Sequence, residues 1–214
     1  RINKLVLNRE EILQHFPKGL KIAEIGVLRG RYSKKIIQSD PEKLFLIDCW
    51  KHFEEGDSVY VKHDGCNVKD EEQEKKYQHV LKTFKNDERV EIIRALSTDA
   101  SVNFADGYLD AVYIDGDHSY QGCLSDLRAY SKKISDRGFM WGHDYTTNYK
   151  WIQVIQAIET FLQESPEWEL LCITGEEPRK SPSWFLVRED SIMLSTIKAL
   201  DSSIADIKYN AISV

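Results

Sequence analysis

Short apolar runs alternate along the chain with stretches in which apolar positions recur every three or four residues. The runs at 21–26 (KIAEIG), 43–49 (KLFLIDC), 90–94 (VEIIR), 109–115 (LDAVYID) and 138–142 (GFMWG) are brief and nearly continuous, as strands buried on both faces are. Between them lie helical patterns. Asn8 opens a predicted helix over 8–16, with Glu11 as capping-box partner and Pro17 and Gly19 ending it. Residues 30–38 predict a second helix, closed at Asp40-Pro41, and 70–84 a highly charged one. Over 120–134, Leu124, Leu127, Tyr130 and Ile134 share one face; over 151–162, Ile152, Ile155, Ile158 and Leu162 do. The runs at 168–174 and 183–188, parted by a loop with Gly and Pro, predict an antiparallel pair. Strands alternating with helices predict an α/β fold, a doubly wound and mostly parallel sheet.

Two segments stand outside this alternation. Residues 51–68 are polar, irregular and long for a connection, as lids often are. In the tail, Met193, Ile197, Leu200, Ile204, Ile207 and Ala211 follow a four-three spacing that lays a seam on a helix. The expected organisation is therefore one domain over 1–190 and a helical tail over 191–214, packed on its own domain or against a second copy in a homodimer.

Composition narrows the function. The 214 residues suffice for a sizeable core without disulfides or structural metals. With 29 Lys and Arg against 35 Asp and Glu, the net charge is -6, a poor footing for nucleic acid. No apolar stretch has the length of a membrane span or the layout of a signal peptide. Cys49, Cys66, Cys123 and Cys172 are scattered, with no CxxC pair, which suits a reducing, cytoplasmic setting.

In a doubly wound sheet, ligands bind beyond the carboxyl ends of the strands. The first strand ends in Glu24-Ile25-Gly26-Val27-Leu28-Arg29-Gly30, a glycine turn into a helix where backbone amides can approach a ligand. The second ends at Asp48, 22 positions after Gly26, where an acid can accept from both hydroxyls of a ribose; Trp50 follows, within reach of a purine. The turn is not GxGxxG, and the carboxylate of Glu24 would repel a pyrophosphate. It would attract an ammonium, which turns the reading from a dinucleotide toward S-adenosylmethionine.

The fourth strand runs into Asp115-Gly116-Asp117-His118-Ser119-Tyr120 and the fifth into Gly142-His143-Asp144-Tyr145. On adjacent strands these clusters crowd one crevice. Carboxylates so close repel one another unless something positive lies between them, and an oxygen-rich set suits Mg2+ or Mn2+. Asp117 also reads as a cap for the helix that follows. Tyr145, Tyr149, Trp151 and Trp184 read equally as a stacking wall at the mouth or as core.

The motifs AEIGVLRG, LFLIDCW, VYIDGDHSYQGCLSDL and GFMWGHDY, in this order over 21–145, resemble those of class I S-adenosylmethionine-dependent methyltransferases. IDGDHSY followed by HDY resembles the branch of bacterial sugar O-methyltransferases. The resemblance implies a seven-stranded sheet with its last strand antiparallel. It implies cofactor contacts from Glu24, Gly26, Gly30 and Asp48, and from Ser97 at the adenine end. It implies Asp115, His143 and Asp144 as metal ligands, His143 replacing the usual acid, and His118 as general base, where catechol-type relatives keep Lys. The implied reaction is O-methylation of a sugar, glycan or similar small acceptor. Metal-free methyl transfer, a nicotinamide-dependent oxidoreductase and a non-catalytic binding module remain as alternatives.

Overall fold

The structure, a computed structural model, describes residues 2–57, 65–176 and 181–200. Seven strands form one sheet: β1 (Lys21–Ile25), β2 (Lys43–Asp48), β3 (Val90–Arg94), β4 (Leu109–Ile114), β5 (Ile134–Gly142), β6 (Glu169–Ile173) and β7 (Trp184–Val187). Their order is β3-β2-β1-β4-β5-β7-β6. The pairs β1–β2, β1–β4, β2–β3 and β4–β5 are parallel, and β7 is antiparallel to both β5 and β6. This is the doubly wound, mostly parallel sheet with an antiparallel last strand that the sequence predicts.

Buried side chains divide between the two faces. One carries Ile22, Leu44, Tyr113, Trp141 and Phe185 under Phe16, Ile36, Val80, Phe84, Met193 and Ile197. The other carries Ile25, Ile47, Val112, Met140 and Trp184 under α3 (Ser97–Ser101), α4 (Tyr120–Ser131) and α5 (Val154–Glu164). Each large side chain removed from water contributes roughly 1.5–3 kcal/mol, so this two-sided burial holds the layers together.

Several boundaries differ from the pattern reading, each for a local reason. The capping box at Asn8 forms: its Oδ1 accepts from the Glu10 and Glu11 amides while Glu11 Oε2 accepts from the Asn8 amide. Only a 3-10 helix, Ile12–His15, follows it. The second helix is α1 (Ser33–Ile36) tightened into a 3-10 turn over Ile37–Ser39. Helix α4 stops at Ser131, and Ile134 begins β5 instead of closing the helix face. The cause is a register break: Leu109 pairs with Ile134, but Ala111 pairs with Phe139. The extra residues Ser135, Asp136 and Arg137 bulge outward with polar side chains that read as a loop. α5 starts at Val154, and its buried face is Val154, Ala157, Ile158 and Phe161, turned from the predicted one.

The segment before the first turn pairs with the β6 edge. Leu5 N donates to Ile173 O, Ile173 N to Asn3 O and Gly175 N to Leu7 O. This pairing delivers Asn8 and Arg9 to the carboxyl end of the sheet. At the other end of the chain, α6 (Ile192–Leu200) buries Met193 and Ile197 on its own domain and half-exposes Leu200; Ile204, Ile207 and Ala211 lie outside the described residues. The expected lid includes 58–64, which also lie outside them; its base is closed by Asn67, which exchanges two hydrogen bonds with the Phe53 backbone. The helix α2 (Asp70–Phe84) follows. No helix among the described residues is long and apolar enough to cross a membrane.

Candidate active site

The turn after β1 is built by a carboxylate and by close backbone approach. Asp48 Oδ2 accepts from the Val27 and Leu28 amides at 3.0 and 2.8 Å, and Oδ1 from the Trp50 amide at 2.9 Å. Asp48 thus splints the turn with three accepted amide bonds. Leu28, at φ 54°, takes a conformation that non-glycine residues rarely adopt, and Trp50 does so at φ 40°. Trp50 is not beside the crevice. It is 1% exposed, donates its indole N–H to Leu28 O and packs on Tyr77, so it supports the turn from behind and leaves no face for a purine.

Gly26 is required by the protein's own backbone. At φ 85°, a Cβ there would lie 2.1 Å from the Asp115 carbonyl oxygen and 2.7 Å from the Gly116 nitrogen. Gly30, at φ 70°, would meet Phe84 at 3.0 Å. Gly26→Ala is expected to cost about 2–4 kcal/mol through overpacking and the left-handed backbone. Thermal unfolding should show this as a Tm lower by roughly 5–15 °C.

Glu24 is the unusual group of the turn. It is 1% exposed, and among the described residues its Oε2 makes no hydrogen bond of good geometry; the buried Ser33 hydroxyl is near enough to favour the charged form but makes no such bond either. Burial pushes the Glu24 carboxyl up to about 8, against the pull of Ser33 and with a further push from Asp115 and Asp48. A buried carboxylate without a partner is costly, and sites with that property are commonly functional.

Across the crevice, Asp115, His118 and Asp144 converge, with ligating atoms within 4.8 Å of one another. His118 Nε2 lies 3.1 Å from Asp115 Oδ1 and 3.2 Å from Asp144 Oδ2. His143 Nδ1 lies 3.3 Å from Asp144 Oδ1 but 3.9 Å from Asp115 Oδ1. Burial raises the Asp144 carboxyl, but the hydrogen bond and charge of His143, the charge of His118 and a bond from Ser181 outweigh it and hold the group at about 2. Asp144 also sits at φ 58°, a strained backbone of the kind that collects at functional sites. The structure therefore brings together all four residues predicted here, and places His118 nearer to both carboxylates than His143.

Other predicted positions make hydrogen bonds within the fold. Ser97 donates its hydroxyl to Asp126, and its carbonyl accepts from Tyr130. Asp117 accepts from the Ser119 amide, and the cap of α4 is Ser119, whose hydroxyl accepts from Gly122 N. Trp184 is fully buried and donates to His143 O, so it belongs to the core. Tyr149, half exposed, and Trp151 remain at the mouth; the Trp151 ring lies 6.0 Å from both the Tyr149 ring and the His118 ring.

Three further residues stand out in the structure. Arg9 reaches the crevice from the N-terminal segment: Nη1 donates to the Tyr113 hydroxyl at 3.3 Å and lies 3.8 Å from Asp115 Oδ2. Tyr113, on β4, donates to Asp115 Oδ2 at 3.2 Å. Asp126, 2% exposed, is pushed up to about 7 by burial, against the Ser97 hydrogen bond and with the charge of Asp117 adding to the push. Only Asp126 carried a signal, an acid on the apolar face of Cys123, Leu127 and Tyr130. A polar cavity of about 470 Å³ adjoins the Arg9 wall, lined by Asn8, Glu11, Lys35, Gln38 and Glu176 among others. Asp115, His118 and Asp144 do not line it.

A sheet of this order, with a glycine turn after β1 and acids at or just beyond the ends of β2, β4 and β5, has the Rossmann-like topology of methyltransferase domains. A family model described as a methyltransferase domain matches residues 23–145, more than half of the chain, and the chain belongs to that family. No curated protein matches. Among solved structures, the O-methyltransferase from Bacillus cereus in complex with SAH is similar at TM-score 0.60 and 15% identity, over 84% of this chain and 79% of that one. Spermidine synthase from Thermotoga maritima is similar at TM-score 0.54 and 16% identity, over 86% of this chain and 57% of that one. The methyltransferase CalH in complex with SAH gives 0.55 and 13%, over 84% and 55%. The chain thus spans little more than half the length of the last two.

Proposed function

We propose that this chain transfers the methyl group of S-adenosylmethionine to a hydroxyl of a sugar or another small polyol, with a divalent cation at the crevice. The observation that carries this reading is the convergence of Asp115, His118 and Asp144 at the ends of β4 and β5, beside the buried and unpaired Glu24 at the end of β1. The residues fit both groups. Glu24 Oε2 is an orphaned acceptor suited to the cofactor's ammonium, and two carboxylates with an imidazole are a donor set suited to Mn2+ or Mg2+. When bound, the cofactor supplies an electron-poor methyl group and the cation supplies positive charge that eases ionisation of the acceptor hydroxyl.

The remaining work falls to the chain's own residues. The Asp48 splint and Gly26 hold the cofactor turn rigid, so the methyl donor has a fixed position relative to the crevice. Tyr149 and Trp151 offer aromatic faces beside His118, suited to the C–H face of a sugar ring. His118 is the proposed general base. Its Nε2 faces two carboxylates that only accept, so in this arrangement Nε2 carries a proton. In the neutral ring the accepting nitrogen is then Nδ1, and a proton taken there leaves an imidazolium beside Asp115 and Asp144.

One observation favours a second assignment of the two imidazoles. His118 lies within ligating reach of both carboxylates, whereas His143 stands 3.9 Å from Asp115. In that assignment His118 binds the cation and His143 takes the proton. The reaction class is tested by offering methyl-labelled S-adenosylmethionine and a panel of vicinal-diol sugars with Mg2+ or with chelator. Transfer that depends on Mg2+ is expected. Undiminished transfer in chelator would remove the cation from the account, and cofactor binding without transfer to any sugar would remove the acceptor class.

A further inference from the structure

Arg9 is held with unusual care for a residue of an N-terminal segment. Its amide donates to Glu176 Oε1 at 2.7 Å, and its carbonyl accepts from the Tyr32 hydroxyl at 3.0 Å. Its guanidinium lies over the Tyr32 ring, 5.0 Å from the centroid, and that ring in turn packs 4.4 Å from the Tyr113 ring. Nη1 is committed to Tyr113 and Asp115, but no hydrogen bond among the described residues engages Nε or Nη2. The side chain is 30% exposed. Glu24 pairs in register with Tyr113 across β1 and β4, on the same face of the sheet, and its Oε2 is buried without a partner. Arg9 and Glu24 do not bridge each other.

Tyr113 thus neighbours both a buried acceptor, Glu24, and a cation with spare planar donors, Arg9. An α-amino acid zwitterion needs that pair: an anion for its ammonium and a donor fork for its carboxylate. We propose that Arg9 binds the carboxylate of the cofactor's amino-acid end, so that the N-terminal segment completes the cofactor site and selects ligands that carry that carboxylate. This rests on the S-adenosylmethionine reading given above.

The test compares three ligands on the intact chain by calorimetry: S-adenosylmethionine, its decarboxylated form, which keeps the ammonium, and 5′-methylthioadenosine, which has neither group. Arg9→Met is expected to weaken S-adenosylmethionine by about 10- to 100-fold, the loss typical of a charged hydrogen-bonding partner. It should leave the other two ligands unchanged, and Arg9→Lys should restore part of the loss. Unchanged affinity for 5′-methylthioadenosine also shows that the variant is folded. Equal losses for all three ligands, or no loss for S-adenosylmethionine, would overturn the assignment and leave Arg9 a structural neighbour of Asp115. Failure of the unmodified chain to bind any of the three would instead overturn the cofactor reading, and this assignment with it.

Discussion

Replacing His118 with alanine is expected to lower turnover by about 10²- to 10⁴-fold, the range for loss of a positioned general base. Affinity for S-adenosylhomocysteine should be unchanged, because His118 stands among the carboxylates beyond β4 and β5 while the glycine turn is held by Asp48. A Mn2+ titration followed by electron paramagnetic resonance decides between the two imidazole assignments. If His118 is the base, the variant keeps its Mn2+ affinity and loses the acid limb of its pH–rate profile. If Mn2+ affinity falls instead and saturating cation restores turnover, His118 is a ligand. His143→Ala should then show the missing acid limb. Neither effect in either variant would exclude both histidines from the chemistry.

Glu24→Gln is expected to move stability and cofactor affinity in opposite directions. In the unfolded chain this carboxyl titrates near 4.5, and in the fold near 8. A raised carboxyl pKa means that the folded state holds its proton more tightly. Stability is therefore full below about 4.5, falls as pH climbs toward about 8, and is level above it. The glutamine variant lacks that slope, and at pH 7.5 should be more stable than the unmodified chain by on the order of 3 kcal/mol. Denaturant melts at pH 5 and pH 7.5 read this directly.

Binding follows the opposite sign. Near pH 7 the carboxyl of the ligand-free protein is protonated and must ionise to pair with an ammonium. With Glu24 in the proposed cofactor site, binding is expected to release a proton and affinity to rise with pH up to about 8. Calorimetry in two buffers of different ionisation enthalpy measures that proton. The glutamine variant should bind more weakly by about 30-fold or more, the cost of losing one partner of a charged pair, and should release no proton. A variant that binds as well as the unmodified chain would take Glu24 out of the cofactor site.

The parts legible in the sequence are those set by local pattern. Continuous apolar runs marked the parallel strands because strands covered on both faces need no alternation. The acids and histidines at strand ends were legible because parallel strands deliver their carboxyl ends to one edge. Legibility failed where distant segments decide. Arg9 enters the crevice only because residues 3–7 pair with the β6 edge, some 170 positions away, and no local feature of the first ten residues announces that pairing. Trp50 and Trp184 stand beside site residues in sequence, yet each is turned into the core by an indole N–H that finds a backbone carbonyl. The outward polar residues of β5 hid its first half, since a bulge suspends the alternation by which strands are recognised.

Whether this fold binds the methyl donor is tested most directly by calorimetric titration of the intact chain with S-adenosylhomocysteine, with Mg2+ and with chelator. Saturable binding at one site per chain is expected in both conditions, with proton release below pH 8 and with Mg2+ changing turnover more than cofactor affinity. Absence of binding in both conditions would contradict the cofactor reading, because the glycine turn, Asp48 and the unpaired Glu24 would then be an arrangement without its ligand.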